Sequence, residues 1–509
     1  MKKFGRITAT VIESAFILAG LFVFLLSVSH PMHNLIPSQM VIGILVSVCV
    51  AVGLYFLLDL IGKKIPFIYS YLFFIILSVL WGIALYAIGV VCRSSTVSFF
   101  DYEVCYRAAL EYARSGSISD VDYFMYNPHN WKSTLVLSGL LKTGMRIGFS
   151  DPYYFLLAVN VILLLAAMLS CRYIVAAAGP ERKVSTLFVF PLFASFLPVY
   201  AYVQSFYSDG ASFCFPICGI ALFYFSYRLR TKFKYVLLFL SGMIMGFGYL
   251  MKVTALICII AVIICLAVYS GILPLKKMIP AIIAAVAGFI AVVLLMEAAC
   301  MKSSWYREKD IYSTTAITYI AMGLKNDGTY YENREFRDSI NAMTYTSEKD
   351  ESSKEYIKEN LDSFFDPDHI VAKTRANYAS GNLGAEDFAR YAYGEDTVLN
   401  RIFNNYGDLY WYGCKYNMIW LFQIWLAAII AAVINLFSKD KKYDLAMSVF
   451  ELTFLGYFIF LFFWEANNRQ LYNMMPVAFA GYVLSLSVIC DLVKKAVHYR
   501  PKKNGSEKD

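Results

Sequence analysis

Charge is scarce in this sequence. Asp, Glu, Lys and Arg make up 16% of its 509 residues and hydrophobic residues 59%, whereas a soluble globular domain carries about 25% charged residues. The shortage excludes a soluble reading and points to an all-α polytopic membrane protein. The 11 cysteines form no C-x-x-C pair and no zinc spacing. No Gly-rich loop is present to cradle the phosphates of a nucleotide, and no internal repeat is visible. The first apolar run has no small-residue cleavage site behind it, so it reads as a span and not as a leader. A net charge of +8 does not argue for nucleic acid, because the basic excess lies in short loops between apolar runs, as in cytoplasmic loops of membrane proteins.

The apolar runs give about twelve spans, each near the roughly 20 residues that cross a bilayer. They fall at 8–29, 39–61, 67–91, 152–174, 184–204, 209–228, 234–251, 253–271, 278–300, 416–437, 443–464 and 470–491. Every segment that this count puts inside is basic: Lys2, Lys3 and Arg6; Lys63 and Lys64; Arg172, Arg182 and Lys183; Arg228, Arg230, Lys232 and Lys234; Lys276 and Lys277; Lys439, Lys441 and Lys442; and the tail from Lys494. The expectation is a multi-pass membrane protein with both termini in the cytoplasm. Residues 1–66 read as a two-span hairpin, 67–300 as a core, 301–415 as a small, mainly helical extracytoplasmic insert, 416–491 as three closing spans, and 492–509 as a tail, disordered after Tyr499.

Two polar stretches, 93–134 and 302–415, then share the outer side. In 101–114, Tyr102, Cys105, Tyr106, Ala109, Tyr112 and Ala113 recur at helical spacing, with Gly116 behind them. A second helix over 132–148 sets Leu137, Leu140, Leu141 and Met145 against Lys142 and Arg146. Both read as interfacial helices within an outer loop, 93–151. In the insert, 352–364 reads as a helix broken at Asp366-Pro367, and Tyr406, Tyr410, Trp411, Tyr412 and Tyr416 mark the chain's return to the membrane. Cys105 and Cys414 share this side, and two free thiols are expected over a pair.

Several polar residues carry a chemical and a bland reading side by side. Asp101 can serve as a general base beside the membrane, or reach back to Ser98 in a capping box. Glu103 would face elsewhere on the same helix. In Tyr126-Asn127-Pro128-His129-Asn130, the polar groups can bind a sugar or form an ordinary helix-opening turn. Asp209 can complete an acidic site with Asp101 or hold a divalent cation, the one cofactor considered, or simply favour a helix N-terminus. Lys252 interrupts an apolar stretch at 235–271, where a cation is costly unless it serves a partner or snorkels to water. Arg469, in the last outer turn at 465–470, has the planar fork that grips a phosphate, or is simply part of a turn that must be polar between two spans.

In their order these motifs resemble C-type glycosyltransferases, polytopic enzymes that use polyprenyl-phosphate sugars, and most nearly the bacterial members related to protein O-mannosyltransferases and aminoarabinose transferases. The resemblance rests on Phe100-Asp101-Tyr102, Tyr126-Asn127-Pro128-His129, Tyr207-Ser208-Asp209, Lys252-Val253-Thr254, and Arg469 with Tyr472 and Pro476; Met322-Gly323-Leu324 looks like Gram-positive cell-envelope members. It covers roughly residues 67–491 and implies a place in a bacterial plasma membrane. It implies Asp101 as catalytic base and Lys252 and Arg469 as holders of the donor phosphate. Two departures stand out. Asp101 follows the third span and not the first, implying an added N-terminal hairpin, and the usual Arg-Tyr pair reads Arg469-Gln470-Leu471-Tyr472.

The expected activity is therefore inverting glycosyl transfer from an undecaprenyl-phosphate-linked donor to an extracytoplasmic polysaccharide, teichoic acid, glycolipid or protein. Asp101 and Asp209 are the candidate catalytic residues, Lys252 and Arg469 bind phosphate, and Glu103, Tyr126, His129, Asn130 and Tyr472 bind sugar or acceptor. A polysaccharide polymerase or ligase is the first rival and would need no acidic helix after an early span. A lipid flippase or transporter is the second and should show ionisable residues deep within spans; Glu13, Asp59, Glu297 and Glu451 are the residues to watch.

Overall fold

Apolar runs of about 20 residues can satisfy their backbone in lipid only by coiling into helices. The computed structural model of the chain is accordingly all helical. It describes residues 2–31, 36–62, 64, 66–93, 100–178, 185–269, 275–387, 393–438 and 445–498. Among these there is no strand, only an isolated bridge between Arg93 and Tyr393. The C-terminal tail, Ser98, and the basic pairs at 182–183 and 441–442 lie outside the described residues.

Among the described residues ten helices are long and apolar enough to cross a membrane: Ile7–Ser29, Pro37–Gly62, Ile68–Val91, Tyr153–Ala178, Ser208–Arg228, Lys234–Met251, Met278–Cys300, Tyr410–Phe437, Ala446–Phe463 and Asn468–Val497. They coincide with ten of the expected spans. The other two are different. The run at 184–204 is broken into Ser185–Phe188, Val189–Ser195 and Pro198–Tyr202. Pro198 has no N–H with which to continue the preceding turn, and starts its own. Irregular backbone at such a place must be enclosed by protein, and Val189, Leu192, Phe193, Phe196, Val199 and Tyr202 are indeed buried. The run at 253–271 gives Ala255–Tyr269, a 15-residue helix within the described chain.

The N-terminal pair is not a hairpin in packing. Lys2–Ser29 lies against the closing helices Tyr410–Phe437 and Leu445–Phe463, Pro37–Gly62 lies against Tyr410–Phe437 and Met475–His498, and the two touch each other only lightly. With apolar surface all round, neither has a hydrophobic reason to prefer its sequence neighbour over any other helix. Two glycines explain the close crossing of Lys234–Met251 on Leu275–Cys300: a Cβ on Gly242 would overlap the Ala285 backbone, and one on Gly288 the Phe239 backbone.

Charges in the spans are mostly neutralised. Asp59 pairs with Lys494 at 2.9 Å, joining the second helix to the last. Glu297 pairs with Lys309 at 2.5 Å and Lys132 at 3.3 Å. Arg172, expected at a cytoplasmic end, is buried: its Nε donates to Thr186 Oγ1 at 3.2 Å and its guanidinium faces the Phe74 ring at 4.2 Å. Glu13 and Glu451 are buried on two helices that pack together.

The two expected loop helices are present as Phe100–Ser115 and Pro128–Ile147, packed face to face. Tyr102, Cys105, Tyr106, Ala109 and Ala113 are buried on the first, Leu137 and Leu141 on the second, and Lys142 and Arg146 are exposed. The insert is not one unit. Ala316–Met322, Arg334–Ala342 and Thr346–Asn360 enclose a small core of their own around Met322, Phe336 and Ile340. Asp366-Pro367 does more than break a helix. The Asp366 carboxylate accepts from Asp368 N at 3.0 Å and caps the next one, Pro367–Tyr378. Beyond it Tyr378, Leu383, Tyr393 and Phe403 sink into the main core. Cys105 and Cys414 are free and buried.

Candidate functional site

Asp101 sits in the first turn of Phe100–Ser115, where the helix dipole favours a carboxylate. Its side chain reaches solvent, and its Oδ2 accepts from the Tyr207 hydroxyl at 3.4 Å. Burial, then the charge of Asp101, pushes the Tyr207 phenol well above its ordinary pKa, so it stays a donor. Tyr207 is brought there by the broken segment that replaced the expected fifth span. It precedes the short helix Ser208–Ser212, which carries Asp209.

Asp209 is 1% exposed, and Lys252 Nζ donates to its Oδ1 as an ion pair. Lys252 ends the Lys234–Met251 helix in extended conformation. Thr254, two residues on, accepts from Asn473 Nδ2 at 3.2 Å, while Asn473 Oδ1 accepts from Ser212 Oγ at 2.7 Å. One buried amide thus ties the Asp209 helix, the Lys252 turn and the start of the last span together.

Arg469 lies on the short 3-10 helix Asn468–Met474. Its backbone N–H and its Nε both donate to Asn467 Oδ1, at 3.1 and 3.4 Å. Its Nη1 is 3.7 Å from Asp387 Oδ2. Tyr207 is within electrostatic reach of Asp101, Arg469 and Asp209 together. His129, in the first turn of Pro128–Ile147, feels Asp101 and Lys252. Its surface reaches water although protein surrounds it, as for a residue lining a narrow recess; loss of bulk solvent, with the two lysines Lys252 and Lys132 adding, lowers its pKa and keeps the ring neutral. Glu465 is buried in the same place, its carboxyl pushed up to about 7 by burial against the pull of Arg469 and Lys252. Tyr319, from the insert, responds to both Glu465 and Asp101. The result is a cluster of alternating charge, with Asp101 and His129 exposed at its edge and Lys252 and Arg469 half-buried.

Four sequence candidates, Asp101, His129, Lys252 and Arg469, meet there, with Asp209 beneath. The others do not. Glu103 forms an ion pair with Arg107 one turn on. Tyr126 is exposed, its ring under Lys349 Nζ at 4.4 Å. Asn130 is buried and donates to the Tyr123 hydroxyl at 2.6 Å, a holding role. Tyr472 is 2% exposed and stacks on Tyr202 with ring centroids 3.8 Å apart. Its ring is enclosed by Tyr202, Phe196 and Phe213 and offers no face to a sugar. Lys252 occupies the Asp209 carboxylate, which therefore opposes a cation there; among the described residues no three metal-ligating side chains converge.

Tyr207, Glu465, Asp387 and Gly384 are additions. The first two stood inside motifs already noted, Tyr207-Ser208-Asp209 and the 465–470 turn. Gly384 and Asp387 lie in the polar insert, where no spacing marks them.

The residues 7–488 match a family model described as "conserved hypothetical integral membrane protein". No curated protein and no solved structure matches the chain. The chain belongs to that family of integral membrane proteins.

Proposed function

We propose that this integral membrane protein is an inverting glycosyltransferase that takes its sugar from an undecaprenyl-phosphate-linked donor and passes it to a hydroxyl of a cell-envelope acceptor. The observation that carries the reading is that the Tyr207 hydroxyl donates to Asp101 while Arg469, distant in sequence, lies within electrostatic reach of the same phenol. A carboxylate facing water and a guanidinium in one recess are what the reaction requires. The acceptor oxygen bonds to the anomeric carbon from the face opposite the phosphate. Asp101 takes the hydroxyl proton, and the bond to the phosphate oxygen breaks with its electron pair leaving on that oxygen. Tyr207 donates to Asp101 and fixes its orientation. Arg469 faces the departing negative charge, where preorganised donors act most strongly. Lys252 contributes less, because Asp209 already neutralises it. With basic inner loops, the recess opens on the extracytoplasmic side and both termini are cytoplasmic.

The test uses purified full-length protein in nanodiscs with an undecaprenyl-phosphate-linked sugar, following sugar release. Asp101→Asn should lower turnover by about 10²–10⁴, the usual worth of a general base, with donor affinity unchanged. Near-normal turnover in a folded Asp101→Asn protein rules the mechanism out.

A further inference from the structure

Arg469 is held by its stem and nearly free at its tip. Gly384, at φ +71°, lays its backbone directly on the side chain, and a Cβ there would overlap Arg469 Cγ. Asn467 fixes Nε. Among the described residues nothing accepts a hydrogen bond from the two terminal nitrogens. Asp387 Oδ2, at 3.7 Å from Nη1, is within ion-pair range and beyond hydrogen-bonding range. The Arg469 side chain is 25% exposed and that of Asp387 36%.

The contact is also electrostatically uneasy. Glu386 adjoins Asp387, and Asp209 is within reach. Burial, and then the Asp209 charge, raise the Asp387 carboxyl above its ordinary range, while Arg469 pulls it down. Asp387 is therefore held by one loose attraction, in a setting that disfavours its charge, beside water into which it can turn. The guanidinium stays where Gly384 and Asn467 fix it, with an open fork of the shape that a phosphate fits bidentately.

We propose that Asp387 is a displaceable counter-ion: a phosphate ester anion binds Arg469 by taking the place of the Asp387 carboxylate. The inference rests on the reading of Arg469 as the phosphate-binding cation and adds a residue that sets the affinity of that site. It gives the insert a direct part in donor binding, since Asp387 and Gly384 both come from it.

Binding to full-length protein in nanodiscs tests this, with undecaprenyl phosphate in the lipid as one probe and inorganic phosphate in solution as the other. Asp387→Asn should tighten undecaprenyl phosphate about three- to tenfold, the effect of removing one partly exposed ionic competitor. Asp387→Ala should do the same, which guards against a fault peculiar to the amide. Arg469→Ala should abolish binding, and Arg469→Ala with Asp387→Asn should bind no better than Arg469→Ala alone. Unchanged or weaker binding in both folded Asp387 variants, while the wild type binds, overturns the counter-ion and leaves the phosphate site standing. No binding of either probe to the wild type removes the phosphate site and the counter-ion with it. Tightening for inorganic phosphate alone supports the counter-ion and rules out the lipid-linked donor.

Discussion

Lys252 and Asp209 neutralise each other: the ammonium ends one span, the carboxylate begins another, and Asp209 has 1% of its surface exposed. The two residues differ in what each becomes alone. Without Lys252, the carboxylate is an unpaired buried charge, and such losses cost about 3–5 kcal/mol. Without the Asp209 charge, Lys252 can still turn its amine toward the recess. Lys252→Met should therefore destabilise the protein well beyond Asp209→Asn, and the double variant should recover much of the difference. Unfolding in detergent measures it. Equal and additive losses would mean that the pair is not a unit.

Gly384 offers a test of how Arg469 is positioned. Alanine there is strained by the positive φ, by roughly 1 kcal/mol, and also meets the Arg469 stem. Gly381, at φ +77°, carries the same backbone strain but adjoins Cys414 and Met418. Both Gly→Ala variants should lower the melting temperature. Only Gly384→Ala should also weaken undecaprenyl phosphate binding, by tenfold or so if the fork shifts by a single contact.

Glu465 makes stability depend on pH in a defined direction. Its carboxyl is pushed up to about 7 by burial, so the folded protein holds a proton that the unfolded chain releases near 4.3. That stabilisation is complete below the unfolded value and is lost as pH rises through about 7. Glu465→Gln keeps a neutral group at all pH. Its melting temperature relative to the wild type should rise between pH 5 and 7.5. Lys373, lowered to about 7 by burial, acts in the opposite sense at higher pH and is common to both proteins. A flat difference between Glu465→Gln and the wild type would refute the burial argument.

Sidedness is open to labelling. Glu355 is exposed on Thr346–Asn360, and Lys232 lies in the turn before Lys234–Met251. With an impermeant maleimide, Glu355→Cys should label in intact cells and Lys232→Cys only after permeabilisation. The reverse pattern would invert the membrane orientation argued from basic loops.

The long spans were legible because span length and apolar content are properties of contiguous residues. The helix Phe100–Ser115 was legible for the same reason, since its buried face recurs at helical spacing. The break at Pro198 was less so: an apolar run with two prolines can kink or stop, and only the surrounding protein decides. The site divides likewise. Asp101, Lys252 and Arg469 stood out because a charge beside an apolar run is expensive wherever it points. That Lys252 would meet Asp209, that Asn473 would bridge Ser212 to Thr254, and that Asp387 would face Arg469 depend on which helices cross, and apolar helices do not announce their neighbours. Tyr472 shows the converse. Its place in a motif suggested a ligand, yet its ring lies against Tyr202.

The helices Lys2–Ser29 and Pro37–Gly62 have their main partners in the last hundred residues of the chain. Synthesis runs from the N-terminus, so the first helices to leave the ribosome are among the last to find their neighbours. For most of translation they stand in the bilayer with their inner faces turned to lipid. The completed bundle is closed by the final three helices arriving between partners that have been waiting since the beginning. A ribosome stalled before residue 410 would leave seven of the ten long helices inserted, with neither their closing partners nor Arg469 yet made.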